Sequence, residues 1–211
     1  MQISIKTNFP DVQRSLAALR KEISGPASVR ALNRTVEQAR TSMSREIRSE
    51  FNMSPTEVNA ALKVRRASRS QGQFSLSAEL SSSNRRGRSL NLVRFMQRTV
   101  TLAAYRKRIK AGEGNTGRGN KALELRFKIK KAGPAVGVKG AFIGNKGRTV
   151  FIRTGKSRLP IKAVQTIDVA QMFNTQRINR RVVEFINRTY PKNVASEIKF
   201  YTERFNRCGK A

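Results

Sequence analysis

The residue types able to bind a phosphate fall in two glycine-containing runs. Gly112-Glu-Gly-Asn-Thr-Gly117 carries the letters of the dinucleotide fingerprint, and Gly155-Lys156-Ser157 copies the end of a phosphate-binding loop. Each chemistry has a structural requirement. The fingerprint must follow a buried strand and open a helix whose amide groups point at the pyrophosphate. Here it follows the basic run Tyr105-Arg-Lys-Arg-Ile-Lys110 and precedes more glycine and asparagine. The second run has Val150 where its other glycine should stand, and Leu159-Pro160 forbids an immediately following helix. The first run reads as a loop and the second as a basic turn.

Acid–base and metal chemistry find little to work with. Histidine is absent, which removes the commonest general base and metal ligand, and a lone Cys208 cannot build a zinc site. The 13 acids are scattered, with no DxD or ExK set on one predicted strand or loop. The chain reads as a non-enzyme without cofactor or metal.

Positive charge remains. The 44 Lys and Arg residues outnumber the 13 Asp and Glu residues, for a net charge of +31. Residues 1–62 carry +3, residues 63–160 carry +22 and residues 161–211 carry +6. A charge this lopsided repels itself unless it lies against a polyanion or an acidic protein surface. The candidate contacts are Lys63, Arg65, Arg66 and Arg69, then Arg85, Arg86 and Arg88, then Arg106, Lys107, Arg108 and Lys110, with a further cluster at Lys128, Lys130 and Lys131. One such cluster is ordinarily a solvated surface. Four within about seventy residues, barely relieved by acids, favour phosphate or an acidic groove, because mixed-sign surfaces keep a domain soluble with less repulsion. No helix-turn-helix, zinc finger or RNP aromatic pair is present, so any contact with nucleic acid is expected at the backbone, tolerant of sequence and weakened by salt.

A single cysteine excludes an internal disulfide and fits a reducing cytoplasm. The start Met1-Gln-Ile-Ser-Ile-Lys6 lacks a signal-peptide pattern, and no apolar run is long enough to span a bilayer, so no membrane partner is expected.

The elements that would position these cations follow from periodicity. Ile3 and Ile5 alternate as in a short strand. Asp11 is placed to cap a helix carrying Val12, Leu16, Leu19 and Ile23, which Gly25-Pro26 should break. A longer helix follows, with Val29, Leu32, Val36, Ala39, Met43 and Ile47 at spacings of three and four. Ser54-Pro55-Thr56-Glu57 is a capping box opening a short helix. Residues 63–69 and 73–80 should pair as a hairpin, and Leu90–Phe95 reads as another strand. Leu123, Leu125, Phe127 and Ile129 alternate with charge, and short β segments continue through Gly140–Ile143, Thr149–Ile152 and Ile161. Asp168 should cap a helix, and Pro191 should open a last one with Val194, Ile198, Tyr201 and Phe205 on one face.

The expected fold is therefore α+β: N-terminal helices, a mostly antiparallel central β-sheet with a long basic loop or arm, and two C-terminal helices. The expected division is 1–62 helical, 63–167 basic sheet with a flexible loop at 97–120, and 168–211 helical, as one structural unit overall.

Four stretches carry a resemblance: Val29-Arg-Ala-Leu-Asn-Arg34, Lys63-Val-Arg-Arg66, Gly140-Ala-Phe-Ile143, and Val150-Phe-Ile-Arg-Thr-Gly-Lys-Ser-Arg-Leu-Pro-Ile161. In their order the chain resembles the phage minor tail protein Z family, the tail completion proteins of long-tailed phages. The resemblance implies a virion protein made in the host cytoplasm and placed at the head-proximal end of the tail. It would join after the tail terminator and help with head–tail joining and DNA passage. It implies no catalytic residues. A homo-hexameric ring matching the sixfold tail is expected, with the tail terminator and head–tail connector proteins as neighbours and sequence-nonspecific DNA contact from the candidate cations. The competing reading is a cellular nucleic-acid-binding protein, ribosomal or nucleoid-like, which would share the charge.

Overall fold

The computed structural model describes residues 2–6, 21–70, 73–75, 77–82, 90–97, 125–138, 140–155 and 157–208. The chain divides into two compact units: Met1–Ile47 with Pro55–Asn84 and Val169–Ala211, and Arg48–Ser54 with Arg85–Asp168.

The first unit combines long helices with a small sheet. Its elements are β1 (Gln2–Lys6), α1 (Lys21–Glu50, whose last turn belongs to the second unit), α2 (Pro55–Ala61), β2 (Leu62–Arg65), β3 (Ser68–Ser70), β4 (Gln73–Ser75) and β5 (Ser77–Ser82). After the second unit the chain returns as α3 (Val169–Phe173) and α4 (Gln176–Cys208). β5 lies between β1 and β2, both antiparallel to it, with Leu80 opposite Ile3 on one side and Val64 on the other. The period of two shows on β5: Ala78, Leu80 and Ser82 are buried, while Ser77 is exposed. β3 and β4 continue the same excursion as a two-stranded ribbon, so the hairpin expected from residues 63–80 forms.

α1 and α4 lie side by side and antiparallel, as their side-chain pairs require. Glu46 pairs with Arg181, Thr35 and Gln38 with Asn193, and Arg30 and Arg34 with Glu197. Positions rise on one helix as they fall on the other. Between these polar pairs α1 contributes Ala31, Leu32, Val36, Ala39, Met43 and Ile47, all fully buried. α4 answers with Ile178, Val182, Ile186, Tyr190 and Val194. α3 packs against α2 and β5.

Two expected helix breaks do not occur. α1 runs unbroken through Gly25-Pro26 and α4 through Pro191. A proline inside a helix removes one backbone bond and crowds the preceding turn. Here the buried positions continue on both sides, Ile23 and Ala27 around Pro26, Tyr190 and Val194 around Pro191. Tertiary burial outweighs the local penalty. The C-terminal break lies instead at Asn174-Thr175, between α3 and α4. Phe205, expected on an apolar stripe, is exposed at 39%.

Among the described residues the second unit is mostly short strands. They are β6 (Leu90–Asn91), β7 (Leu125–Phe127), β8 (Val136–Val138), β9 (Phe142–Gly144), β10 (Thr149–Arg153), β11 (Ile161–Ala163) and β12 (Gln165–Thr166). β9, β10 and β11 form an antiparallel meander, and β6–β12 and β7–β8 are two-stranded. Leu90–Phe95 is a strand only at its first two residues; Leu92–Phe95 turns as a 3-10 helix capped by Asn91. Leu92, Leu125, Phe127, Ala141 and Val150 make the core, flanked by Val138, Ile143 and Ile152. The β9–β10 turn holds Asn145, Lys146 and Gly147 at positive φ, and Gly140 has φ 75, a conformation that side chains disfavour. The expected antiparallel β region thus exists as several small sheets. The expected loop at 97–120 lies outside the described residues beyond Gln97.

Candidate polyanion-binding surfaces

The sequence candidates meet different fates. Lys63 and Arg65 stand two apart on β2, so the pleat places both on the face opposite Leu62, and both are exposed. In the β2–β5 register Arg65 lies across from Glu79 and Lys63 across from Ser81. Arg66 sits beyond the strand and turns to α1, where its Nε and Nη2 donate to Glu37 Oε1 at 3.2 and 2.7 Å. That pair is solvated, so it adds less than about 1 kcal/mol of stability, but it takes Arg66 out of a purely cationic patch. Arg69 lies on β3, paired through its backbone register with Phe74. Arg85, Arg86, Arg88, Arg106, Lys107, Arg108 and Lys110 lie outside the described residues.

The fourth cluster, Lys128, Lys130 and Lys131, belongs to a wider basic surface in the second unit. From Leu125 to Ile167 the chain has 11 Lys and Arg residues and no Asp or Glu. Arg126 points outward between the buried Leu125 and Phe127. Lys130, Lys131, Arg148, Arg153, Arg158 and Lys162 are all exposed. Beyond Lys130 and Lys131 the spacing is too even to form a cluster by counting; the missing acids are the readable signal. Arg153 holds its guanidinium 5.3 Å from the Phe142 ring centroid, and that ring stacks on Phe151 at 5.9 Å. Gly144 makes room beneath this pair, since a Cβ there would stand 2.9 Å from the Phe151 ring.

Gly155 and Ser157 fall in the turn from β10 to β11, closed by Thr154 donating from its N–H and Oγ1 to the Pro160 carbonyl at 3.3 and 3.1 Å, and Lys156 lies outside the described residues. A strand follows, so no helix N-terminus is available to a phosphate. Gly112–Gly117 lies outside the described residues. Among the described residues no group of three or more Cys, Asp or Glu is placed to hold a metal, and no helix is long and apolar enough to cross a membrane.

What this arrangement offers is charge without readout. The described cations present long side chains to solvent from strands and turns, suited to phosphates or carboxylates and carrying no base-edge pattern.

Comparison with known proteins agrees with the order of motifs. The family model of prophage minor tail protein Z matches residues 11–207. No curated protein and no solved structure was found to match. With nearly its whole length matched, and with helices flanking a basic β region, the chain belongs to the prophage minor tail protein Z family and is a structural component of a phage tail.

Proposed function

We propose that this chain is a tail completion or neck component at the head-proximal end of a long phage tail, where it aids head–tail joining and DNA passage. The observation that carries the reading is the family match over residues 11–207. The charge supports it: a protein beside a DNA path benefits from many screened contacts, which let a strand slide, whereas bidentate base recognition would stall it. A homo-hexameric ring next to the tail terminator and the head–tail connector would set these cations around the channel.

Electron microscopy of intact particles tests the placement. The expected result is a ring of this chain between tail tube and head, with tails lacking it failing to yield infectious joined particles. Density at the distal tip, or normal joining without the chain, overturns the proposal. Salt-sensitive DNA or RNA binding with no association to tails would favour the nucleoid-like or ribosomal reading instead.

A further inference from the structure

The second unit contains an open pocket of about 530 Å³, lined among others by Leu92, Phe127, Ile129, Pro134, Val136 and Ile167. That volume lies in the range of real ligand sites. Its walls are almost entirely apolar, and Val136 is 61% exposed beside them. A concave apolar pocket with a few polar groups at its margin is the usual form of a binding site.

Two neighbouring features say what fits. The first is a strand edge. β8 pairs with β7 on one side, and among the described residues no strand pairs with its other side. An unpaired edge is a template for an added strand. The second is charge. Lys130 lines the pocket, Lys131 follows it, and both are exposed. No residue from Leu125 to Ile167 is acidic, and the acid that the backbone brings beside them is Glu50, whose carbonyl accepts the Lys131 N–H at 2.9 Å. A second copy of a chain with a net charge of +31 is a poor source of carboxylates.

We propose that the pocket and the free edge of β8 receive an extended acidic and apolar segment of a different protein. The segment adds a strand beside Val136–Val138, seats an apolar side chain against Phe127 and Ile129, and brings carboxylates to Lys130 and Lys131. The site shares Lys130 and Lys131 with the basic surface described above, and its apolar wall distinguishes it from a DNA groove.

The test uses the full chain and a fluorescent short peptide alternating leucine or phenylalanine with glutamate. Three probes accompany it: the same peptide with serine for each apolar residue, the same peptide with lysine for each glutamate, and duplex DNA. The expected result is binding of the first peptide above all three, with amide shifts at Gly137 and Val138. Val136→Arg and Lys130→Glu, both at exposed positions, should each weaken it by about tenfold without changing the thermal unfolding of the chain. Equal binding of the serine peptide or DNA at this site shows charge alone at work and overturns the proposal. So does self-association that Val136→Arg abolishes, which would make the groove a contact between copies. Absence of binding by the acidic and apolar peptide also overturns it.

Discussion

Asn33 holds the backbone of Ala67 from both sides: its Nδ2 donates to the Ala67 carbonyl at 2.9 Å, and its Oδ1 accepts the Ala67 N–H at 2.8 Å. The side-chain amide stands in for a neighbouring strand where β2 ends and β3 has not begun. One helical turn further along α1, Glu37 receives Arg66. Each contact ties one of two stretches that carried the family likeness, Val29–Arg34 through Asn33 and Lys63–Arg66 through Arg66, to a residue just beyond the other. Ala67 is 4% exposed, so water cannot easily replace the amide.

Asn33→Asp should be nearly as harmful as Asn33→Ala. Aspartate keeps the acceptor but sets a carboxylate against the Ala67 carbonyl. Each variant should cost about 1–3 kcal/mol, the range for leaving buried backbone groups unsatisfied. Chemical denaturation followed by circular dichroism checks this; an aspartate variant as stable as the parent would contradict it.

Asn91 predicts the opposite pattern in the second unit. Its Oδ1 accepts from Val150 N–H at 2.9 Å and from Val93 N–H at 3.1 Å, while its Nδ2 makes only a 3.5 Å contact to the Val150 carbonyl. That carbonyl already accepts from Val164 N–H at 2.9 Å. Asn91→Asp should be tolerated, whereas Asn91→Ala orphans a buried N–H and should cost about 1–3 kcal/mol. Hydrogen exchange at Val150 gives the readout, with faster exchange expected in the alanine variant alone.

Glu197 is 5% exposed and receives Arg30 at 3.2 Å and Arg34 at 3.5 Å, both arginines being half in water. The two ends of this network are unequal. Glu197→Gln frees arginines that solvent can take up and should cost about 1 kcal/mol. Removing both arginines, as Arg30→Met with Arg34→Met, strands a buried carboxylate and should cost about 3 kcal/mol. Thermal unfolding at neutral pH ranks them; the reverse order would show that the carboxylate is better hydrated than its burial implies.

Tyr190 is fully buried, and burial pushes its phenol from 10 up to about 12. The unfolded chain then gives up this proton at a lower pH than the folded one. Tyr190's contribution is fully present below pH 10 and is lost as pH rises through about 12. The loss across that window is roughly 1–3 kcal/mol. Titration of phenolate absorbance should show one of the 3 tyrosines ionising late, and Tyr190→Phe should remove that step and flatten the alkaline loss of stability.

Much of this protein was legible in one dimension because the signal was local. The alternation at Ala78 and Leu80, the three- and four-residue spacing along α1, and the capping box before Pro55 each need only a few neighbouring residues to act. So did rejection of a nucleotide site at Gly155, since the residues after it decide whether a helix can follow. Other outcomes depended on partners distant in the chain. Pro26 and Pro191 sit within unbroken helices because buried side chains on both sides of each are packed by tertiary contacts, which no local propensity encodes. Asn33 and Asn91 look like ordinary polar residues until Ala67 and Val150 are brought to them across 34 and 59 positions. Charge divides in the same way. Its excess was visible in composition, but only the folded chain showed Arg66 turned to Glu37, Lys63 and Arg65 sharing an open face, and Lys130 beside an apolar pocket. Periodicity is a property of neighbours, whereas burial and pairing belong to whatever the fold places opposite.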